Sequence, residues 1–410
     1  MSEAPRVRRM ADWPAERLEA VADEQETPVY VIDLDRIREN LGRVQSAFPE
    51  ADIHYAVKAN SGSAVLETFA TAGVGAECAS AGEFERAVAA GFPTERILYT
   101  PVNPPQRDLD TVLEYETEPL AITVGALDTV RRLADRGFTG DVAIRIHPGT
   151  GAGHSDSVAT GADRKFGIGI DRVEKAVELV TERGMTVVGV HAHAGSGILN
   201  PEDVSSHREV VETVAQVVND LDQDVDFVDV GGGFGVPYRP EGDPLDLAAL
   251  ADSTRDALDS VSGTLRIEPG RYLVADAGLL LTRVNTVKPA GEELLAGVDA
   301  GMTDLLRPAL YDAYHPVAPV GSMTDREKRS VSVVGPICES TDVLATNRRL
   351  PAPERGDLLA IGMTGAYGIE MASQYNSRPR PPVVAFEETT SREIRRREQL
   401  EDITAPETDR

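Results

Sequence analysis

Cysteine is nearly missing from this 410-residue chain: Cys78 and Cys338 are the only two, and they stand far apart. That excludes a disulfide framework and any cysteine-based metal spacing, and it suits a reducing compartment. Basic residues are also in deficit, 41 against 68 acidic, for a formal charge of −27 and a sequence pI near 4.6. Such a surface repels nucleic acid and anionic membrane, so neither is expected as a partner. A solvated acidic face of the halophilic type, suited to a salt-rich cytoplasm, accounts for the imbalance. No apolar run is long enough to span a bilayer, and the opening "MSEAPRVRRMADWPAERLEA" has no apolar signal core. The expectation is a cytoplasmic protein, without internal repeats or low-complexity linkers.

What is present suffices for two domains with sizeable cores. From about residue 52 to 270 one theme recurs: a short apolar run, a turn with Gly or Pro, then a helical stretch. The candidate strands are "DIHYAVKAN", "GVGAECAS", "RILYTP", "PLAITV", "DVAIRIHP", "TVVGVHAHAGS", "VDFVDVGGG" and "TLRIEPG". Between them lie amphipathic segments such as "AGEFERAVAAG", "RVEKAVELVTERG" and "HREVVETVAQVVNDL". In the last, Val210, Val211, Val214, Val217, Val218 and Leu221 fall on one helical stripe. Eight strand–helix units read as a parallel, closed (β/α)8 TIM barrel over 36–280.

After about residue 280 the rhythm changes to short β-like runs: "LLLTRVNTVKPAG", "ELLAGVDAG", "SVSVVGPICES", "GDLLAIGMTGAYG" and "PPVVAFEE". They predict a mostly β C-terminal domain over 281–410. "TPVYVID" is expected to join it, together with the rest of 1–35, because the barrel count is full without it. The charged end "SREIRRREQLEDITAPETDR" reads as a short surface helix and a frayed tail.

In such barrels chemistry sits at the C-terminal ends of the strands. The first candidate strand ends in Lys58, which the alternation of "HYAVKAN" places on a face that a core strand buries. A buried ammonium is expensive, so a lone lysine there usually snorkels to water. The sixth strand ends in "HAHAGSG", the seventh in "GGGFG" and the eighth in "EPGR". "GGGFG" is too compact for a dinucleotide fingerprint, but glycines after strand seven let backbone N–H groups close around a phosphate. A nucleophilic lysine with a phosphate turn points to a phosphate-bearing aldehyde, pyridoxal 5'-phosphate (PLP). Glu268 is then a carboxylate for its pyridine nitrogen, and the His193 ring a flat surface to stack on it. Ser196 has reach to the phosphate, and Arg271 can neutralise phosphate or a substrate carboxylate. No metal site is expected.

"YAVKAN", "HAHAGSG", "VDVGGGFGVPY", "RIEPGRYLV", "VDAGMTDLLRPALYDAYH", "GPICESTD", "GAYG" and "YNSRPRP" occur in this order. Together they resemble the fold-type III PLP-dependent decarboxylases, from about residue 28 to 400. The resemblance implies an alanine racemase-like barrel, a β domain and an active site completed across a homodimer interface. It gives Lys58 as the lysine that carries the cofactor, His193 as the residue on its ring and Glu268 as the partner of its nitrogen. Ser196, Gly232, Gly233 and the turn through Gly270 to Arg271 match the phosphate cradle; Tyr367 matches a contact to cofactor and substrate. Arg271, Arg307 and Tyr311 match carboxylate-binding positions. Cys338, as proton donor, and Glu339, for an ammonium group, match a pair supplied by the neighbouring subunit. Two stretches depart from the common pattern, "ECASAGE" at 77–83 and "YTPVNPPQRD" at 99–108.

Within the family the motifs are most similar to members acting on meso-2,6-diaminopimelate. The implied reaction removes CO2 at the D centre and yields L-lysine, with Cys338 returning the proton. The alternatives are a decarboxylase of ornithine, arginine or carboxynorspermidine, or a non-catalytic PLP-binding homologue. A substrate without a second carboxylate would give Arg307 nothing to bind, which favours diaminopimelate. Racemase relatives carry arginine, not glutamate, at the pyridine nitrogen.

Overall fold

Short runs dominated by β-branched residues, each ended by Gly, Pro or a polar turn, fold as strands because neighbouring strands bury both faces. The computed structural model describes residues 7–115, 119–149, 152–153 and 165–408. The chain divides into two units, one comprising Asn40–Val236 and Asp243–Tyr272, the other Met1–Glu39, Pro237–Gly242 and Leu273–Arg410.

The first unit is a closed parallel barrel. Its strands are Asp52–Ala56, Gly75–Cys78, Ile97–Tyr99, Ala121–Val124, Asp141–His147, Thr186–His191, Phe227–Asp229 and Thr264–Ile267. Each pairs in parallel with the next, and the eighth returns to the first through Arg266 opposite Asp52 and Ile267 opposite Ile53. Leu98, Ala143, Val188 and Phe227 form one of its buried clusters. Below them, where the first strand begins, Asp52 takes hydrogen bonds from Arg96 at 2.8 Å and Arg266 at 3.1 Å. Charge at that end is structural. The first strand is shorter than its sequence suggests: it stops at Ala56, and Lys58 lies in a 3-10 turn, Val57–Ala59.

The helix Pro201–Asn219 starts on a reciprocal cap, with Asn200 accepting from the Asp203 backbone and Asp203 from the Asn200 backbone. Its valine stripe, Val210, Val211, Val214, Val217 and Val218, is buried as the periodicity predicts. Each such side chain contributes about 1.5–2 kcal/mol of burial, which outweighs the helix-propensity cost of valine. Leu221 falls past the helix end and is only half-buried.

The second unit is built on a nine-stranded sheet. Val29–Asp33, within "TPVYVID", runs antiparallel to Gly278–Ala290 and parallel to Val383–Glu387 in this sheet. Trp13, Val29, Val31, Leu279, Leu281 and Phe386 belong to its core. Three strands are not evident in the sequence: Val317–Val320, Val343–Pro351 and Thr390–Arg395. The last corrects the C-terminal reading, since it pairs with Val383–Glu387 as a hairpin and only Leu400–Thr404 is helical.

Candidate active site

At the C-terminal ends of the barrel strands, charge replaces apolar side chains. Lys58 Nζ donates to Glu77 Oε2 at 2.8 Å, with the lysine side chain 42% exposed and the glutamate 3%. Lys58 is therefore partnered and half in solvent rather than buried, because the strand ends two residues before it. Burial pushes the Glu77 carboxyl above its ordinary range, against the pull of Lys58.

Arg145, His191 and Asp229 occupy one register row across strands five, six and seven. His191 Nε2 faces Glu268 Oε2 at 3.5 Å, a polar contact too long for a well-formed hydrogen bond. His191, Asp229 and Glu268 are all buried, and one ligand atom of each lies within 4.8 Å of the others. The two carboxyls respond in opposite ways. For Glu268 burial acts upward, but the positive field of His191 and Lys58 outweighs it and holds the group well below the usual carboxylate range. Asp229 is driven well above that range by burial and by the Glu268 charge, even though its Oδ1 accepts the Gly231 N–H at 2.8 Å. The same surroundings thus push the two acidities in opposite directions.

His193 accepts the Gly232 N–H at Nδ1, 3.2 Å, which places the proton of a neutral ring on Nε2. Burial, then the charges of Lys58 and Arg145, push its imidazole well below its ordinary range, so it stays neutral. The glycine turn makes this approach possible. Gly231 has φ +72°, and a side-chain carbon there would lie 2.5 Å from His193 Nδ1. At Gly232 the same carbon would be 2.0 Å from the Glu268 carbonyl oxygen. Gly232 therefore holds His193 with the N–H that the sequence reading assigns to phosphate. Gly233 accepts the N–H groups of Gly197 and Ile198 at 2.9 Å, tying the turn to the Ser196 segment.

Arg271 Nη2 donates to Ser196 Oγ at 2.9 Å. Gly270 packs on the turn that carries Lys58, where a side-chain carbon would come within 3.1 Å of Ala59 Cβ. The barrel unit therefore brings together Lys58, His193, Ser196, Gly232, Gly233, Glu268, Gly270 and Arg271. A cavity of about 550 Å³ lined by Phe48, Arg255, Gly263 and Thr264 lies where strand eight begins and contains none of them.

In the β unit, Arg307 is buried at the start of the short helix Arg307–Tyr311, whereas Tyr311 is 40% exposed. Cys338 and Glu339 are exposed. Their loop is held twice: the Cys338 N–H donates to Asn376 Oδ1 at 3.2 Å, and the Tyr375 hydroxyl donates to Glu339 Oε1 at 2.6 Å. Tyr367 adopts φ +57°, a left-handed conformation that costs a tyrosine about 1 kcal/mol or more. Cys78, the other cysteine, is buried, and burial pushes its thiol well up, leaving it inert.

Glu77, Arg145, His191 and Asp229 are site residues to which the sequence reading gives no role. Glu77 and Arg145 were discoverable as charges inside apolar strands, the same signal that marks Lys58. The departures from the common motifs prove local. In "AECASAGE" Ser80 and Glu83 cap the helix Ala81–Ala89, and Ala81 N–H reaches Asp108 of the second stretch at 3.4 Å.

These residues fit pyridoxal phosphate on two structural counts. Glu268 Oε1 is buried without a hydrogen-bond partner among the described residues, so a protonated ring nitrogen would satisfy it. The Gly231–Gly233 turn and the Ser196–Arg271 pair form a side-chain-free, cationic edge suited to a phosphate.

Residues 34–275 match the family described as pyridoxal-dependent decarboxylase, pyridoxal binding domain. The chain is 39% identical over 397 residues to a diaminopimelate decarboxylase of Methanothermobacter thermautotrophicus, covering 93% of this chain and 92% of that one. It is 38% identical over 392 residues to a diaminopimelate decarboxylase of Aquifex aeolicus, with the same two coverages, 93% and 92%. Its fold is similar to the crystal structure of diaminopimelate decarboxylase from Helicobacter pylori complexed with L-lysine. That similarity has a TM-score of 0.88, 34% identity, and coverage of 95% of this chain and 98% of the other.

Proposed function

The chain belongs to the pyridoxal-dependent decarboxylases, and on that footing we propose that it removes CO2 from meso-2,6-diaminopimelate at the D centre and releases L-lysine. The observation that carries the reading is Glu268, a buried carboxylate held ionised by His191 and Lys58, with one oxygen that has no hydrogen-bond partner among the described residues. Bound pyridoxal phosphate supplies an electron sink for the pair left when the carboxylate departs.

Lys58 would provide the amine that holds the cofactor, and Glu77 anchors that amine. Glu268 would hold a proton on the pyridine nitrogen, which would strengthen the pull on the electron pair. Asp229, kept neutral, adds no second negative charge beside it. His193 would lie against the ring as a neutral imidazole, while Ser196, Gly233, Gly270 and Arg271 would hold the phosphate. Arg307 and Tyr311 bind the distal carboxylate by charge-assisted hydrogen bonds, with Arg271 and Tyr367 supporting the substrate. Glu339 takes the distal ammonium. Cys338 returns a proton to the carbon that lost CO2, so hydrogen replaces the carboxylate at one centre.

We assign the working form to two identical subunits in the cytoplasm, with Cys338 and Glu339 supplied across their interface. Among the described residues no helix is long and apolar enough to cross a membrane.

The direct test is the purified protein with pyridoxal phosphate and meso-diaminopimelate, with L-ornithine and L-arginine alongside. CO2 and L-lysine should appear one to one, and the other amino acids should react at least about a hundredfold more slowly. Faster turnover of either would overturn the substrate assignment.

A further inference from the structure

Arg307 does not sit alone in its fold. His315, fully buried, joins it to the sheet. His315 Nδ1 lies 2.9 Å from the Gly362 carbonyl oxygen, and a carbonyl only accepts, so the ring proton is on Nδ1. That leaves the Nε2 lone pair to receive the Arg307 Nε–H at 3.3 Å. Gly362 ends the strand Leu358–Gly362, and its own N–H is bonded to Pro316 at 2.8 Å, so the anchor is part of the sheet. The second wall is Tyr238: its ring meets His315 edge-on at 5.2 Å and lies 5.0 Å from the Arg307 guanidinium carbon.

A hydrogen bond at Nε and an aromatic ring beside the guanidinium together fix its plane, and hence the direction of its two Nη groups. We propose that His315, with Tyr238, is the positioning residue that aims Arg307 and so sets the demand for a second carboxylate on the substrate. This rests on the reading of Arg307 as the residue that binds that carboxylate. The selectivity then depends on the tautomer of a histidine that touches no substrate. An arginine freed from its seat could still bind an anion, but it would pay the ordering entropy on each encounter.

L-Lysine and cadaverine differ only by the carboxylate in question, and calorimetry on the pyridoxal-loaded protein can compare their affinities. The wild type should prefer L-lysine by at least about tenfold in Kd. Arg307→Ala should abolish the preference; if it does not, the reading of Arg307 fails. His315→Leu should also abolish it with the cofactor absorption spectrum unchanged, and should raise KM for diaminopimelate about tenfold while kcat moves less than about threefold. His315→Gln, which retains one donor and one acceptor, should restore most of the preference. Should His315→Leu fold poorly, Tyr238→Leu serves as the second variant and should lose the preference in the same way. If Arg307→Ala loses selectivity while His315→Leu and Tyr238→Leu keep it, the positioning role is refuted and the Arg307 reading stands.

Discussion

Two carboxyl groups at neighbouring strand ends, Glu268 and Asp229, are driven apart in acidity by the same surroundings. Glu268 is held low by His191 and Lys58 against the upward push of burial, while Asp229 is driven up by burial and by the charge of Glu268. The difference predicts unequal tolerance to amide substitution. Glu268→Gln removes the needed charge and should lower kcat roughly a hundredfold to a thousandfold. Asp229→Asn copies the neutral acid, keeps an oxygen for the Gly231 N–H, and should change kcat by less than about threefold. Steady-state rates of the two variants decide it; equal losses would contradict the division of roles. Lys58 and Glu268 are legible in the sequence because each ends an apolar run with a charge. Arg145 in "DVAIRIHP" and Glu77 in "GVGAECAS" obey the same rule, but attention to strand endings alone bypasses residues one turn of pleat earlier. The His191–Glu268 contact is not legible, since strands six and eight do not neighbour and the two side chains meet across strand seven only in the closed barrel.

Between two elements, the helices Pro201–Asn219 and Leu247–Ala257, a buried histidine ties stability to pH. The Thr254 hydroxyl donates to the Leu250 carbonyl at 2.8 Å, so its oxygen can accept from His207 Nε2, 3.3 Å away. Burial pushes His207 down to about 4. Its folded value lies below the unfolded one, about 6.5, so its neutral form supports folding above that pH. The contribution is lost as pH falls from about 6.5 to 4, and amounts to about 3 kcal/mol at the acid end. Asp304, pushed up to about 6 chiefly by burial, acts with opposite sign between about 3.8 and 6. Urea midpoints of the wild type and His207→Leu should therefore be compared at matched pH. Their difference should shrink or reverse in favour of the variant as pH drops through that window; a constant difference would contradict the burial argument. The barrel strands and this helix pair are legible because apolar periodicity is strong in both. Val343–Pro351 and Thr390–Arg395 are not, because as sheet-edge strands they carry charged side chains on exposed positions, and "SREIRRR" mimics a surface helix.

For the whole molecule, composition excludes partners more readily than it selects them, and the assembly is beyond what periodicity encodes. Cys338 and Glu339 are exposed, on a loop held by Asn376 and Tyr375. Co-expression of Lys58→Ala and Cys338→Ala chains with different tags should give heterodimers of about twice 44.0 kDa. Each parent should be inactive, whereas the heterodimer should recover about half of wild-type activity because one of its two sites is intact. Failure to recover would place both residues in the site of a single chain.

The chain has five lysines, Lys58, Lys165, Lys175, Lys288 and Lys328, so the site can be read out by covalent trapping. Borohydride reduction of the pyridoxal-loaded protein, followed by peptide mass spectrometry, should find a pyridoxyl group on Lys58 alone. A label on any other lysine, with Lys58 unmodified, would contradict the assembly of amine, imidazole, glycine turn and carboxylate around one cofactor.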